Sequence, residues 1–243
     1  MTVGLEARVI PAWPGATESR IGFTALPLFD IRKAGTPPTF FGPRDSFGFD
    51  IVDLGMLKFG PAFRLIWERK SSNYVELAGL ADVSFALQAG GYAELWPVPW
   101  LRLRGELRQG FGGETGVTGD LFLDVVVPVG QWTLSGGPRL TLQSAKATSP
   151  YFSITAAQAA LANLTPGQPP LTAYSAGGGV YSYGGGAMAR YFWNTQWATH
   201  IFVEYERLAG DAGNSPLVTQ RGSANQFTYG LGATYSFDMH PLW

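Results

Sequence analysis

The sequence has 243 residues, no cysteine, 17 basic against 18 acidic residues, and a charged fraction of only 14%. The absence of cysteine excludes a disulfide scaffold and a zinc–thiolate site, and the balanced charge argues against a nucleic-acid-binding protein. An aromatic content of 14% and a net charge of −1 exclude an intrinsically disordered chain. No run of about 18 apolar residues occurs, so no transmembrane helix is predicted. All-β barrels of this length are usually one domain, which we expect over residues 1–243.

The N-terminal part of the chain begins directly with alternating apolar and polar residues. Residues 1–6 have neither the basic start nor the apolar core of a secretory signal. For an exported protein, we therefore expect that the signal peptide has been removed. Three segments of this part have strand character: 2–10, 20–32 and 39–53. The last segment can be counted as one strand, or as two strands, 39–44 and 46–53, that break at Arg44-Asp45-Ser46.

The rest of the chain alternates with a period of two, as β-strands do. In residues 101–108, leucines and a glycine alternate with arginines and a glutamate, so one face is apolar and the other is charged. Such runs are about 11 to 14 residues long, close to the 9 to 11 that a tilted strand needs to cross a bilayer. The predicted strands are 56–68, 82–95, 99–111, 116–129, 131–144, 179–193, 196–208 and 223–238.

One stretch of the long connection 145–177 is not strand-like. Residues 155–164 contain strong helix formers, and Thr155 and Gln158 have the spacing of a capping box. The sequence Thr165-Pro166-Gly167 then ends the helical pattern. We predict a short helix inside a long outer loop.

The connections between the strands alternate between short and long. Four are short: 53–56, 96–100, 129–131 and 193–196. Longer ones lie around 69–80, 145–177 and 209–222, and the connection 112–116 is the one short member of this second set. Bacterial outer-membrane barrels have short periplasmic turns and longer extracellular loops. Aromatic side chains at the short-turn ends are predicted to lie at the membrane interface: Trp96, Trp100, Trp132, Trp193 and Trp197.

Alternation alone would also fit a soluble β-sandwich or a lipocalin-like barrel, whose apolar face points inward. The long strands, the tryptophans at one end and the sparse charge favour a membrane barrel, because a soluble surface is roughly 25–35% charged. Single-chain bacterial barrels have even strand numbers, so we count two strands within 39–53. The prediction is an all-β, antiparallel, up-and-down transmembrane β-barrel of twelve strands in the bacterial outer membrane.

The charged face of the strands predicts a ladder of ion pairs in the lumen. Three arginines of one strand should neighbour two aspartates of the next, and opposite charges on paired strands neutralise each other. The ladder could line a solute path or plug the lumen. We favour the plug, because a twelve-stranded barrel is narrow beside porins of 16 to 18 strands. The predicted set is Arg102, Arg104, Glu106, Arg108, Asp120, Asp124, Arg139, Arg190 and Glu204.

The sequence contains no convincing catalytic or cofactor motif. A lipase-like site would need a serine and a histidine with an orienting partner, but the two histidines are His200, predicted in the lumen, and His240, beyond the last strand. No metal-ligand spacing stands out, and the glycine runs lack the strand–turn–helix context of a phosphate loop. We predict a protein that is not an enzyme and that has no cofactor.

Several segments resemble the MipA/OmpV family of outer-membrane proteins. Residues 207–218 and 220–227 are close to the family patterns L-x-G-D-A-x-x-S-P-(I/V)-V and R-G-S-A-N-Q-F. Residues 151–159 and 171–179 resemble its long-loop segment. Weaker matches lie at Trp13-Pro14-Gly15, Phe40-Phe41 and 79–83. The resemblance covers essentially the whole chain.

The resemblance implies a non-enzymatic outer-membrane scaffold. The namesake of the family joins a murein-degrading lytic transglycosylase to a murein synthase at the periplasmic side, so the implied partners are these two enzymes and outer-membrane lipid. Other members are described as porin-like or as adhesins, which leaves a small-solute channel or an adhesin as alternatives. Family members end near Tyr-x-Phe, whereas Phe237 is followed here by residues 238–243, so either Phe237 or Trp243 is the terminal assembly signal.

Overall fold

The computed structural model describes residues 2–26 and 40–237. Their strands are β1 (Thr2–Pro11), β2 (Ser19–Leu26), β3 (Phe47–Gly48), β4 (Val52–Asp53), β5 (Leu57–Ile66), β6 (Ala86–Val98), β7 (Leu101–Gly112), β8 (Val117–Val129), β9 (Trp132–Gln143), β10 (Gly179–Phe192), β11 (Trp197–Leu208) and β12 (Asn225–Ser236). They form one twelve-stranded sheet in the order β2-β1-β12-β11-β10-β9-β8-β7-β6-β5-β3, with β4 also paired to β5. All the pairings are antiparallel, sequence neighbours pair from β4 to β12, and β1 pairs with both β2 and β12. The predicted all-β, antiparallel, up-and-down architecture is confirmed.

The segment between β2 and β5 differs from the prediction. The predicted strand 39–44 is wrong, because residues 40–44 have no strand structure. The predicted strand 46–53 is divided into the two-residue strands β3 and β4, each paired with β5. Pro43 lies in the predicted strand, and a proline has no N–H to donate to a ladder. Residues 27–32 of the predicted second strand, and His240 and Trp243, lie outside the described residues.

The two faces of the sheet have opposite chemistry, and the apolar face points outward. Leu107 and Ile201 are 63% and 61% exposed, whereas Arg102 and Asp120 are 0% exposed. A soluble barrel would place these side chains the other way round, since its apolar face fills the interior. The arrangement is that of a barrel wall whose outer surface faces lipid and whose inner surface is polar.

The two ends of the barrel also differ. The short-turn end has the tight connections β4–β5, β6–β7, β8–β9 and β10–β11, and there Thr2 pairs with Ser236. The opposite, long-loop end contains all the α-helices of the described residues. They are α1 (Ala145–Phe152), α2 (Ala156–Ala162), α3 (Gly210–Asn214) and α4 (Pro216–Arg221). None of these helices has the length and apolar character that a membrane-spanning helix requires.

The predicted helix in the long loop is confirmed as α2. Its capping box is formed: Gln158 N donates to Thr155 Oγ1 over 3.2 Å, and Thr155 N donates to Gln158 Oε1 over 2.8 Å. The other three helices were not predicted. They are short, and α1 contains an internal proline, Pro150, so their local sequence signal is weak.

The long loops pack into an ordered layer at the long-loop end, which we call the loop cap (residues 67–85, 144–178 and 209–224). Two apolar clusters contribute to it, centred on buried residues such as Leu77, Leu171 and Phe152. Two arginines tie its segments together through backbone carbonyl groups. Arg69 donates to Tyr151 O over 2.8 Å and to Ala81 O over 3.2 Å. Burial lowers the pKa of Arg69 to about 10, so it is still charged at neutral pH.

Arg221, at the end of α4, has the same role in the other half of the loop cap. It donates to Pro169 O over 2.8 Å, to Glu76 O over 3.1 Å and to Ala162 O over 3.0 Å. Two of these carbonyl groups belong to the segment 144–178 and one to the segment 67–85, while Arg221 itself lies in 209–224. Charge-assisted hydrogen bonds of this kind are stronger than neutral ones, so one side chain holds three loop segments in place.

Candidate functional site

The predicted charge ladder lies in the lumen, and the structure buries every member of it. The residues are Arg102, Arg104, Glu106, Arg108, Asp120, Asp124, Arg139, Arg190 and Glu204. The pairing of β7 with β8 places Arg102 opposite Asp124 and Glu106 opposite Asp120. Arg102 Nη1 lies 3.1 Å from Asp124 Oδ2, and Arg108 forms an ion pair with Asp120. These two pairs follow directly from the alternation of the strands.

Arg104 has partners that the sequence analysis missed. It lies opposite Phe122, not opposite an aspartate, and its guanidinium contacts Glu106 Oε1 at 2.8 Å and Glu94 Oε2 at 3.2 Å. Its Cζ atom also lies 3.7 Å from the centroid of the Tyr92 ring. Tyr92 and Glu94 are inward positions of β6, so extending the alternation to that strand would have found both.

The network continues around the wall through the other predicted residues. Arg139 Nη2 lies 2.5 Å from Asp124 Oδ1, and Arg139 Nε lies 3.7 Å from Glu204 Oε1. Arg190 donates to Thr234 Oγ1 over 3.0 Å. The ladder of β7 and β8 is therefore linked through β9 to β11.

Residues 40–46 cross the inside of the barrel, and we call them the lumen strap. Asp45 Oδ2 lies 2.6 Å from Arg102 Nη2 on β7. The next residue toward the N-terminus, Arg44, forms an ion pair with Glu206 on β11 and lies 3.6 Å from Glu204. Two consecutive side chains of the strap thus bind different walls of the barrel.

Further contacts fix the lumen strap to its surroundings. Ser46 N donates to Glu106 Oε1 over 3.1 Å, and Arg64 Nη2 on β5 donates to the Arg44 carbonyl over 2.6 Å. Arg8 Nη2 on β1 donates to Pro43 O over 3.1 Å. The strap is therefore bonded to β1, β5, β7 and β11, and it occupies the space that an open channel would leave free.

Two phenylalanines of the strap pack against charged and aromatic groups of the wall. Phe40 lies under Arg102, 5.0 Å from ring centroid to Cζ, and contacts Trp96 edge-on at 6.0 Å. Phe41 lies 4.5 Å from Arg190 Cζ and 5.7 Å from the His200 ring. The sequence showed Phe40-Phe41 as a weak match to the family and as part of a strand, but their role depends on contacts across the lumen.

His200 belongs to the buried network. Its Nε2 atom lies 2.8 Å from Glu6 Oε2 on β1, and both side chains are buried. This position agrees with the expected lumen location and gives the imidazole a carboxylate partner on a neighbouring part of the wall. Among the described residues, no group of three or more His, Asp or Glu side chains could hold a metal ion.

Four of the five predicted interface tryptophans are exposed at the short-turn end: Trp100, Trp132, Trp193 and Trp197. Trp96 differs from the prediction. Its Nε1 donates to the buried Glu94 over 2.7 Å, and its ring contacts Phe40 of the lumen strap. Trp96 shares the inward face of β6 with Glu94, two residues away, because strand side chains alternate.

A cavity of about 1110 Å³ lies beside the lumen strap and extends to the loop cap. Arg44 and Arg64 line it on the strap side, and Tyr151 lines it on the cap side. Gln88 and Thr141 are among its polar residues on the wall. Thr2, Glu94 and Arg104 also line it, so the cavity runs along the lumen strap from the short-turn end to the loop cap.

Comparison with solved structures finds porins and channels of low sequence identity. A "KdgM porin" is 10% identical with a TM-score of 0.45, and the match covers 98% of this chain and 100% of that one. A "NanC porin" is 8% identical with a TM-score of 0.44, covering 97% and 99%. The "COG4313 outer membrane channel from Pseudomonas putida F1" is 12% identical with a TM-score of 0.45, covering 97% and 95%.

Comparison with curated proteins finds no match. The family comparison is more informative. The family model described as "MltA-interacting protein MipA" matches residues 3–237, nearly the whole chain. With an apolar outer wall and a charged interior, the protein is an outer-membrane β-barrel, and it belongs to the MipA family.

Proposed function

We propose that this protein is a closed, non-enzymatic barrel that serves as a scaffold in the outer membrane. One observation carries the proposal: the lumen strap crosses the inside of the barrel and forms ion pairs with two separate strands of the wall, Asp45 with Arg102 on β7 and Arg44 with Glu206 on β11. A lumen braced in this way is unsuited to a continuous water-filled path. The function then depends on the surfaces that the barrel presents at its two ends.

The proposed partners are murein enzymes in the periplasm. The family description names an interaction with MltA, and the resemblance implies a lytic transglycosylase together with a murein synthase. We place these partners at the short-turn end and the loop cap outside the cell, because outer-membrane barrels have short turns in the periplasm. Outer-membrane lipid surrounds the wall.

The orientation can be tested with single cysteines, because the natural chain has none. Leu164→Cys lies at an exposed position of the loop cap, and Gln131→Cys lies on a short turn. In intact cells, a membrane-impermeant maleimide should label Leu164→Cys and should label Gln131→Cys only after the outer membrane is permeabilised. The reverse pattern would overturn the orientation.

The scaffold proposal is tested by two measurements on the natural protein. In planar bilayers, we expect no steady ionic conductance, and in detergent extracts of the envelope, we expect a lytic transglycosylase to co-purify. A large, steady conductance would refute the closed barrel. If the protein shows no conductance and no murein enzyme co-purifies with it, the scaffold proposal is refuted. An adhesin acting through the loop cap is then favoured.

The cavity of about 1110 Å³ favours a second candidate, a small-solute channel. In that case, the lumen strap would have to leave its position during passage. Asp45→Asn weakens the strap's contact with Arg102 and leaves the wall intact. A channel closed by the strap should show more frequent openings in this variant than in the natural protein, whereas a scaffold should remain silent in both.

A further inference from the structure

We propose that the cavity that runs beside the lumen strap and under the loop cap, here called the vestibule, is a binding site for a short, neutral, hydroxyl-rich ligand, an oligosaccharide. This inference does not depend on the scaffold role, since a closed barrel can still bind a ligand in the space beside the lumen strap.

The size of the vestibule suits such a ligand. Ligand pockets in proteins commonly have volumes of about 300–1,000 Å³, and the vestibule, at about 1110 Å³, is slightly larger than that range. Its lining comes from the barrel wall, the lumen strap and the loop cap. A ligand there would contact three separate parts of the fold.

Two buried polar atoms of residues that line the vestibule have no hydrogen-bond partner among the described residues. One is the Tyr151 hydroxyl, and the other is Glu204 Oε1. Arg139 Nε lies 3.7 Å from the latter, which is too long for a hydrogen bond. Leaving such groups unsatisfied costs free energy, and a ligand hydroxyl could donate to the carboxylate and exchange a hydrogen bond with the phenol.

Aromatic side chains line the same space. Trp13, Tyr74, Tyr151 and Tyr181 come from three loops and one strand and meet at the vestibule. Aromatic rings with polar edges present both an apolar face and a hydrogen-bonding group. This combination suits a pyranose ring, which has an apolar C–H face and a rim of hydroxyl groups.

The charges of the vestibule cancel, which argues for a neutral ligand. Arg44 is paired with Glu206, Arg8 is paired with Glu6, and Arg64 Nη1 lies 3.4 Å from Asp120 Oδ2. An anionic or a cationic ligand would have to compete with these internal pairs. A ligand with hydroxyl groups can bind without breaking them.

The test is isothermal titration calorimetry on the whole protein in detergent micelles. The probes are maltotriose and the trimer of N-acetylglucosamine, which are both neutral, with a trimer of galacturonate and a trimer of glucosamine as the anionic and cationic comparisons. We expect saturable binding of at least one neutral trisaccharide. No heat with either neutral probe, or tighter binding of a charged probe, would overturn the proposal.

A matched pair of variants places the binding in the vestibule. Thr228 lines it, and its neighbour Tyr229 is exposed on the outer face of the same strand. Thr228→Trp should fill part of the space and weaken binding more than tenfold, whereas Tyr229→Trp should leave it unchanged. Equal binding by both variants would exclude the vestibule as the site.

Tyr151→Phe probes the unpartnered hydroxyl and keeps the aromatic ring. We expect a several-fold weaker affinity, with the heat-resistant folded band on SDS gels unchanged from the natural protein. If Thr228→Trp fails to fold, this variant still decides the question. Unchanged affinity in Tyr151→Phe would remove the hydroxyl from the site and, with it, the main polar argument for the ligand class.

Discussion

Two regions of the lumen differ in how their polar side chains are arranged: the ion-pair network on β6 to β8, and the vestibule beside the lumen strap and under the loop cap. Near the short turns, guanidinium and carboxylate groups pair directly, as Arg102 does with Asp45, Glu94 and Asp124. Beside the lumen strap and under the loop cap, aromatic, uncharged polar and paired charged side chains surround the vestibule. We infer that the ion-pair network makes the barrel rigid, whereas the vestibule leaves space in which a ligand can bind.

The largest expected loss of stability comes from removing a carboxylate of the ion-pair network. Asp124→Ala removes the carboxylate shared by Arg102 and Arg139. Arg102 keeps Asp45 and Glu94, but Arg139 keeps only the more distant carboxylate of Glu204 among the ion pairs of the described residues, at 3.7 Å. Removing one member of a buried ion pair costs about 3–5 kcal/mol. Urea unfolding in detergent should show this loss. Asp53→Ala, at an exposed carboxylate near Lys58, is the control and should change stability little.

The next largest effect is expected from a substitution on the lipid face of β7, compared with one on its lumen face. Leu103→Arg places a charge on the lipid face of β7, which costs about 2–4 kcal/mol near the middle of the membrane. Arg104→Leu changes the lumen face. A smaller loss is expected there, because Glu94 and Glu106 keep other arginine partners. The fraction of heat-resistant folded protein on SDS gels measures both variants. Equal losses would mean that the faces are wrongly assigned.

A substitution in the loop cap should loosen the long loops without unfolding the barrel wall. Arg69→Ala removes hydrogen bonds to the carbonyl groups of Tyr151 and Ala81, with an expected local cost of about 1–3 kcal/mol. Limited proteolysis should then cut the long loops faster, while the barrel wall stays folded. Arg207→Ala, whose exposed side chain bonds to Asn225, is the matched control. Faster cleavage in both variants would contradict a specific role for Arg69.

The smallest effect should appear as a pH dependence at the edge of the loop cap. Burial raises the pKa of Glu114, which lies in the turn between β7 and β8. The folded protein therefore holds this proton more tightly than the unfolded chain, and the resulting stabilisation is complete below the ordinary value of 4.5 and is lost as pH rises through the raised pKa. Glu114→Gln should stabilise the protein at pH 7.5 more than at pH 4.

Urea midpoints at the two pH values measure this difference. Glu68→Gln, at an exposed carboxylate, provides the comparison and should show no such pH-dependent gain. If Glu114→Gln has the same effect at both pH values, the carboxyl does not titrate differently in the folded and unfolded states.

The sequence by itself determined the wall of the barrel. Strands such as β7 and β8 begin and end within two residues of their predicted limits, because the alternation of apolar and charged side chains is a local property of the pleat. The same alternation placed Arg102 next to Asp124. The low charged fraction predicted which face points outward, since so few charges could not cover a water-exposed surface.

Only the tertiary structure decided what fills the barrel and covers it. Residues 40–46 have a strand-like composition, yet they cross the lumen because Arg44 and Asp45 find partners on walls that are distant in sequence. Arg221 likewise binds carbonyl groups from two other segments of the loop cap. Such contacts exist only after the sheet has curled around its interior, and a periodic pattern along the chain contains no information about which groups then face each other.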